Sequence, residues 1–400
     1  MYQSILSNQF GISGGATENR RENGEALFVA RASLNGGVHP GKVHQQFGGS
    51  LVSILMFTAV CASAQVAPPP VPTSLPPTVP TSVPNIMALP ALPAGFDALN
   101  ASPEALQSHG LPPKPDQIKD PKAYGAWKTL VTNAKIHVPA KLEQTNIFHK
   151  PAQLNGTISK PPAGTKNPIS TYNSHWSGPV IYDGNKPFAT SYVLGYWTVP
   201  FAQQTFGSPD GTWDWSSQWV GIDGWGSDDV FQAGTEVDAY ADRGGGTAQL
   251  YSFWIEWYPF SETRVSLPVG AGDTVVVEVW NTSPTNGYAF LENLSTGKYS
   301  YYNLTAPSGT TLQGTSAEWI VERPFVNGAF ARLTNYVADS FTFCWAAGYN
   351  YQVLYYPGTD YTPTGAVYLT SMLDNSNNLI SYCNLNGLYG IWFFDTGSAY

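Results

Sequence analysis

"YSFWIEWYP", residues 251–259, alternates with period two. On a β-strand successive side chains point to opposite sides, so Trp254, Glu256 and Tyr258 share one face while Phe253, Ile255 and Trp257 share the other. A helix would mix the two sets. "VFQAGTEVD", residues 230–238, reads the same way: Gln232, Gly234, Glu236 and Asp238 lie opposite Phe231, Ala233, Thr235 and Val237. In "AEWIVERPF", residues 317–325, Glu318, Ile320 and Glu322 face away from Trp319 and Val321. One face thus gathers carboxylates, an amide and aromatic rings. An ordinary solvated sheet face also carries Lys and Arg; these segments have almost none, and the face reads as a substrate groove.

Similar short runs recur from Thr171 onward, among them "SYVLGYWTVP", "SSQWVGID", "TVVVEVWNT", "VYLTSML" and "YGIWFFD". Clusters of Gly, Asn, Asp, Ser and Pro separate them, the form of an all-β protein. The predicted fold is a β-sandwich of two antiparallel sheets, jelly-roll-like, spanning residues 171–400.

The upstream chain reads differently. "LVSILMFTAVCASA", residues 51–64, is too short to cross a bilayer and ends in a small-x-small pattern, so residues 1–64 are expected to be an N-terminal extension with a signal peptide, and the protein to be secreted. Residues 65–170 begin with the proline-dense "VAPPPVPTSLPPTVPTSVP", an extended spacer. A short helix is predicted around "PKAYGAWKTLVTNAKI", followed by lysine-spaced loop, the whole being a poorly structured prosegment. It carries nine Lys against five acids, a balance of +4, whereas residues 171–400 carry six Lys and Arg against 20 Asp and Glu, a balance of −14. Ion pairing is expected to hold the segment over the acidic groove near neutral pH and to loosen as carboxylates protonate.

The same charge balance excludes nucleic acid and anionic membranes as partners, since it offers phosphate no cationic surface. Elimination narrows the chemistry further. Beyond residue 170 there is one histidine, His175, and no G-x-S-x-G elbow, which disfavours a Ser-His-Asp triad and a zinc site; no metal or cofactor is expected. "WFFDTGS", residues 392–398, imitates a pepsin-type aspartate but stands alone near the C-terminus and reads as a terminal strand and turn. With Cys61 removed with the signal, Cys344 and Cys383 are candidates for one disulfide. Asn155, Asn281, Asn293 and Asn303 begin glycosylation sequons.

The run of motifs "NSHWSGPVI", "YWTVP", "QWVGIDG", "FQAGTEVDAY", "FWIEWYPF", "AFLENLSTGK" and "AEWIVERPF", in this order over residues 173–375, resembles the glutamic peptidases, or eqolisins. The resemblance implies a sandwich with its active site on a concave face, an acid-acting secreted endopeptidase, polypeptide substrates, a monomer and no cofactor. It places the catalytic pair on Gln232 and Glu322, and the substrate cleft on Trp176, Asp223, Glu236, Trp254, Glu256 and Tyr258. Glu236 stands where fungal members carry aspartate. In such a site ionised Glu322 is the general base on a water, and the Gln232 amide, which never titrates, donates to the oxyanion. Two alternatives use the same face. One is a retaining glycosidase with Glu256 and Glu322 as its carboxylate pair; the other is a carbohydrate-binding module without catalysis.

Overall fold

Two antiparallel sheets face each other in the computed structural model, which describes residues 77–397 except 110, 113, 153–166, 185–188, 349–353 and 359–364. The predicted signal sequence, Cys61, the Asn155 sequon and most of the proline-dense spacer lie outside the described residues. The first sheet runs Ala366–Leu373, Trp176–Tyr182, Ser316–Glu322, Ser217–Ile222, Phe231–Ala241, Thr247–Trp257, Thr263–Val265 and Leu142–Gln144. The second runs Leu379–Asn386, Gly390–Asp395, Ala338–Ala347, Tyr192–Thr198, Thr274–Ser283, Asn286–Asn293 and Lys298–Thr305. Pairing between Ala366–Leu373 and Leu379–Asn386 joins them at one edge.

Strand parity builds the core between the sheets. Phe231, Ala233, Phe253, Ile255, Trp257, Trp319 and Val321 point inward and meet Val193, Trp197, Val275, Val277, Val279 and Leu291 of the second sheet. Two buried indoles that cross the gap find acceptors: Trp197 Nε1 donates to Thr235 Oγ1 at 3.0 Å and Trp319 Nε1 to the Leu194 carbonyl at 2.8 Å. The opposite face of the first sheet has its own apolar patch, Trp176, Trp219, Trp225, Trp254 and Ile320, and this is the face that carries the predicted polar residues. Gly234 sits between Gln232 and Glu236 because a Cβ there would lie 2.1 Å from the Gln218 carbonyl oxygen.

The segment before residue 153 is wrapped on this frame. Ile86–Ala88 and Ile136–His137 pair with Lys298–Thr305, and Leu142–Gln144 pairs with Thr263–Val265. The predicted helix is Pro121–Asn133, capped by Asp120, whose side chain accepts from the Ala123 N–H. Its Ala123 and Leu130 are buried on Tyr196, Phe290, Tyr299 and Tyr301, the outer face of the second sheet, and Trp127 joins Ala98, Leu106 and Leu111 in a small cluster of their own. A stretch with few apolar residues is ordered here because the sandwich supplies the other half of each contact.

Cys344 and Cys383 are free and buried, so the expected disulfide is corrected. The Gly390–Asp395 strand runs between the strands that carry them. Two inter-strand spacings separate them, about 10 Å, whereas a disulfide tolerates Cα atoms no more than about 7 Å apart. The sequons at Asn281, Asn293 and Asn303 are buried, their side-chain amides donating to the Ser283, Pro268 and Gly287 carbonyls, so the folded chain offers none of the three to a glycosyl donor. Asp395 ends the last strand, and its carboxyl accepts the Gly397 N–H at 2.7 Å.

Because Leu130 is fully buried against the tyrosines of the second sheet, Leu130→Ala should cost about 2–5 kcal/mol of stability. Chemical denaturation of the full chain measures it. A change within about 0.5 kcal/mol, the range of ordinary surface substitutions, would show that the helix is not packed there.

Candidate active site

Four adjacent strands, Ser316–Glu322, Ser217–Ile222, Phe231–Ala241 and Thr247–Trp257, bring the central predicted residues to one groove. Along Ser217–Ile222, Gly221 stands opposite Gln232 on one side, and Ser217 stands opposite Glu322 on the other. Gln232 is in turn opposite Glu256 on the next strand. Gln232, Glu236, Glu256 and Glu322 are all buried. Trp254 donates through Nε1 to Ser217 Oγ at 2.9 Å, which fixes its ring in the groove floor. Trp176 packs edge-on to Trp219, with ring centroids 4.9 Å apart.

Not every predicted residue is at the centre. Asp223, at φ 66°, uses its carboxylate to accept the N–H groups of Gln313, Gly314 and Thr315 at 2.6–2.8 Å. It ties two loops together at the groove's end. Tyr258 is half-buried at the edge of the tryptophan patch. Glu318 points to the same face as Glu322 but lies opposite Gly221 and Val180, toward Asp223; burial, and the Asp223 charge with it, raises the Glu318 pKa well above the usual range.

The centre is occupied by a residue outside the sandwich. His149 lies with its ring stacked on Trp254, centroids 3.8 Å apart and planes 11° from parallel. Its Nδ1 is 3.3 Å from Glu322 Oε2, and its Nε2 is 3.2 Å from Glu236 Oε1 and 3.3 Å from Glu262 Oε2. Its backbone N–H donates to both oxygens of Glu256 at 3.2 Å. The Gln232 amide donates to the His149 carbonyl at 2.6 Å and to Glu256 Oε1 at 3.3 Å. Trp219 Nε1 donates to Glu322 Oε2 at 2.8 Å. Backbone bonds on both sides hold this position. Ile147–Phe148 pairs with Phe325–Val326, Glu262 and residues 145 and 147 exchange two backbone bonds, and the Ala152 N–H donates to the Gly224 carbonyl.

These contacts fix the proton balance. The carboxylates around His149 raise its pKa well above 6.5 against the pull of burial, so it is an imidazolium. Burial pushes Glu322 up to about 7, opposed by its bonds to His149 and Trp219. Burial also raises Glu236, Glu256 and Asp238. His149, Glu236 and Glu262 are the group among the described residues whose donor atoms converge closely enough, within 4.8 Å, to hold a metal ion. The proton on His149 instead makes it the cation of that cluster.

The expected lysine pairing takes another form. Among the described residues no lysine before residue 153 pairs with a carboxylate of the sandwich, and Lys150 lies over the Phe325 ring at 3.2 Å. His149, Glu262 and Trp219 are the site residues that strand parity around Gln232 and Glu322 does not name. Trp219 could have been found by carrying the parity into "QWVGID", since it stands opposite Gly234 and Ile320. His175, the histidine the sequence offered for a triad, is buried beside Phe330 with its pKa lowered to about 3, chiefly by burial.

The model of the Peptidase A4 family matches residues 174–387. Aspergillopepsin-2 of Aspergillus niger is 33% identical over 187 residues, covering 42% of this chain and 59% of that protein. Scytalidopepsin B of Scytalidium lignicola is 32% identical over 154 residues, covering 38% of this chain and 53% of that one. The chain thus spans little more than half the length of these relatives. Among solved structures, scytalido-glutamic peptidase with a transition state analog inhibitor aligns at TM-score 0.44 and 25% identity, over 56% of this chain and 100% of that one. Aspergilloglutamic peptidase from Aspergillus niger aligns at TM-score 0.39 and 26% identity, over 46% and 99%.

The pH dependence of this site has a definite sign. A raised histidine pKa means that the His149 contacts contribute fully below pH 6.5 and are lost as pH rises through the raised value. The buried glutamates, also raised, disfavour docking while ionised, and that cost falls as they protonate. Both effects tighten the segment toward acid, opposite to the loosening expected from lysine pairing. An NMR titration should give His149 a midpoint above 6.5 while His175 stays neutral through the same range, and residues 142–152 should become more open to an added protease on the alkaline side. Greater opening on acidification would reverse the argument.

Proposed function

Because the chain belongs to the Peptidase A4 family, the eqolisins, we propose that it is a secreted, acid-acting endopeptidase working through Gln232 and Glu322. Glu322 is the general base on a water that attacks the scissile carbonyl; protonated, it then returns that proton to the leaving amine. Gln232 donates its amide N–H to the oxyanion and keeps that role at any pH, having no proton to lose. Trp176, Asp223, Glu236, Trp254, Glu256 and Tyr258 shape the cleft, Asp223 from its end. Residues 51–64 direct export and residues 65–170 act as a prosegment. The enzyme works as a monomer without a cofactor and is indifferent to pepstatin.

One observation carries this reading. Gln232 Nε2 is already bonded to a peptide carbonyl, that of His149, at 2.6 Å. Glu322 holds the imidazole of the same residue. The two proposed residues therefore hold the same residue of the chain, Gln232 at its carbonyl and Glu322 at its ring. The remaining oxygens, Oε1 of Gln232 and Oε1 of Glu322, are buried acceptors without a protein partner. The glycosidase alternative needs Glu256 as a free acid or nucleophile, and Glu256 is engaged with the His149 N–H and the Gln232 amide.

Digestion of a denatured protein in acid tests the assignment. Activity should persist in pepstatin and in chelators. Glu322→Gln should nearly abolish it with the fold intact, and Gln232→Ala should lower turnover about 10²- to 10³-fold. Glu318→Gln, which changes a carboxyl at the Asp223 end of the groove, should be much milder. Complete inhibition by pepstatin, or an active Glu322→Gln beside a dead Glu256→Gln, would refute the pair.

A further inference from the structure

We propose that the protein's own His149–Lys150 peptide bond is a substrate of the site, bound in register for cleavage, so that the first cut in maturation separates His149 from Lys150. The inference rests on the peptidase reading above and goes beyond it by naming the bond.

Three observations place this bond and not its neighbours. The His149 carbonyl is the one that accepts the Gln232 amide, at 2.6 Å, and backbone bonds hold the chain on either side of it. Upstream, the Ile147 carbonyl accepts the Glu262 N–H at 2.9 Å and Ile147–Phe148 pairs with Phe325–Val326. Downstream, the Ala152 N–H donates to the Gly224 carbonyl at 2.9 Å. Backbone bonds at residues 147 and 152 therefore bracket the His149 carbonyl, and strand-type docking of this kind fixes register as it does in a sheet. The His149 side chain adds a lock. Its ring lies on Trp254 and its two nitrogens reach Glu322, Glu236 and Glu262, so a shift by one residue would put Phe148 or Lys150 into a pocket shaped for a flat, doubly donating ring.

The pocket leaves the base one oxygen for chemistry. Glu322 Oε2 is shared by His149 Nδ1 and Trp219 Nε1, while Oε1 has no protein partner and can act on water. In the cut itself the water oxygen bonds to the His149 carbonyl carbon and the bond to the Lys150 nitrogen breaks. One water proton passes through Glu322 to the new Lys150 amine, and the other stays with the new His149 carboxyl group. No oxidant, metal or co-reactant is needed.

Incubation of the purified full chain from neutral to acid pH, with products identified by intact mass and N-terminal sequencing, tests the assignment, alongside digestion of an added denatured protein. The expected first product begins at Lys150. It should form at a rate independent of protein concentration, as a cut within one molecule requires, and be absent from Glu322→Gln, whose melting temperature confirms that it is folded. Lys150→Pro, which changes the leaving amine and lies outside the carboxylate pocket, should slow that product at least tenfold. Digestion of the added protein while the chain is first cut elsewhere, with the 149–150 bond intact, overturns the inference and leaves the peptidase reading standing. A folded chain that cleaves neither itself nor the added protein refutes both.

Discussion

Burying an ionised carboxylate costs several kcal/mol unless a proton or a cation reaches it, and five of them line one groove here. Glu236, Asp238, Glu256, Glu262 and Glu322 are each at most 1% exposed. Among the described residues, Arg264 stands 3.8 Å from one oxygen of Glu262, and a second cation in the groove is the imidazolium of His149. The sheet can present this row because its other face is offset by a dry core: parity sends Phe231, Ala233, Phe253, Ile255, Trp319 and Val321 inward and leaves the acids on the far side. A groove of this composition binds protons and cations before it binds anything else. Under the proposed function this suits an emptied site to acid, since a proposed base held near neutrality by burial would fall toward the ordinary carboxylate range once water enters.

The same electrostatics assign opposite roles to the two histidines that come near the groove. His175 is enclosed by Phe330, the Lys150 carbonyl and the Arg323 charge, and burial there drives its proton off. His149 is no less buried but faces three carboxylates, and keeps its proton. The difference comes from neighbours and not from depth. Lysine could not replace His149 on equal terms: an ammonium is a point charge on a flexible stem, whereas the imidazole presents two donors in fixed opposite directions and a flat face for Trp254.

How much of this is legible in the sequence follows from the range of each signal. Strand parity is local, a matter of nine residues, and by itself it puts Gln232 and Glu236 on one face of their strand, as it does Glu256 and Glu322 on theirs. The sandwich is legible for the same reason, as many short alternating runs separated by turn residues. What parity cannot show is which strand ends converge. Glu318 and Glu322 are equivalent by parity, and the register against Ser217–Ile222 puts Glu318, through Gly221, in the row of Gln232, and Glu322, through Ser217, in the row of Glu236; only His149, which no strand pattern announces, ties Glu322 to Gln232. The disulfide fails likewise: two cysteines in one domain say nothing of the strand between them. His149 is the least legible, for its partner Glu256 lies 107 residues away and "NIFHKPA" has neither period nor charge pattern of its own.

That distance also bears on what a single cut can achieve. The chain before residue 150 is fastened at several places that do not involve the groove: the Ile86–Ala88 and Ile136–His137 strands, the Pro121–Asn133 helix on the outer tyrosines, and the Leu142–Gln144 strand. Tyr301 donates to two carbonyls of that chain, at Pro90, 2.8 Å away, and at His109, and Tyr196 donates to a third, that of Ala126. Breaking one covalent link removes none of these contacts, and each contact that holds keeps the others at high effective concentration, so the two pieces stay together. Access to Glu322 then depends on the short stretch from Thr145 to His149, held by a few backbone bonds and one imidazolium. The fastenings on the second sheet can be permanent while the groove opens and closes, so ordering the protein and blocking its site are separable tasks carried by different parts of the same segment.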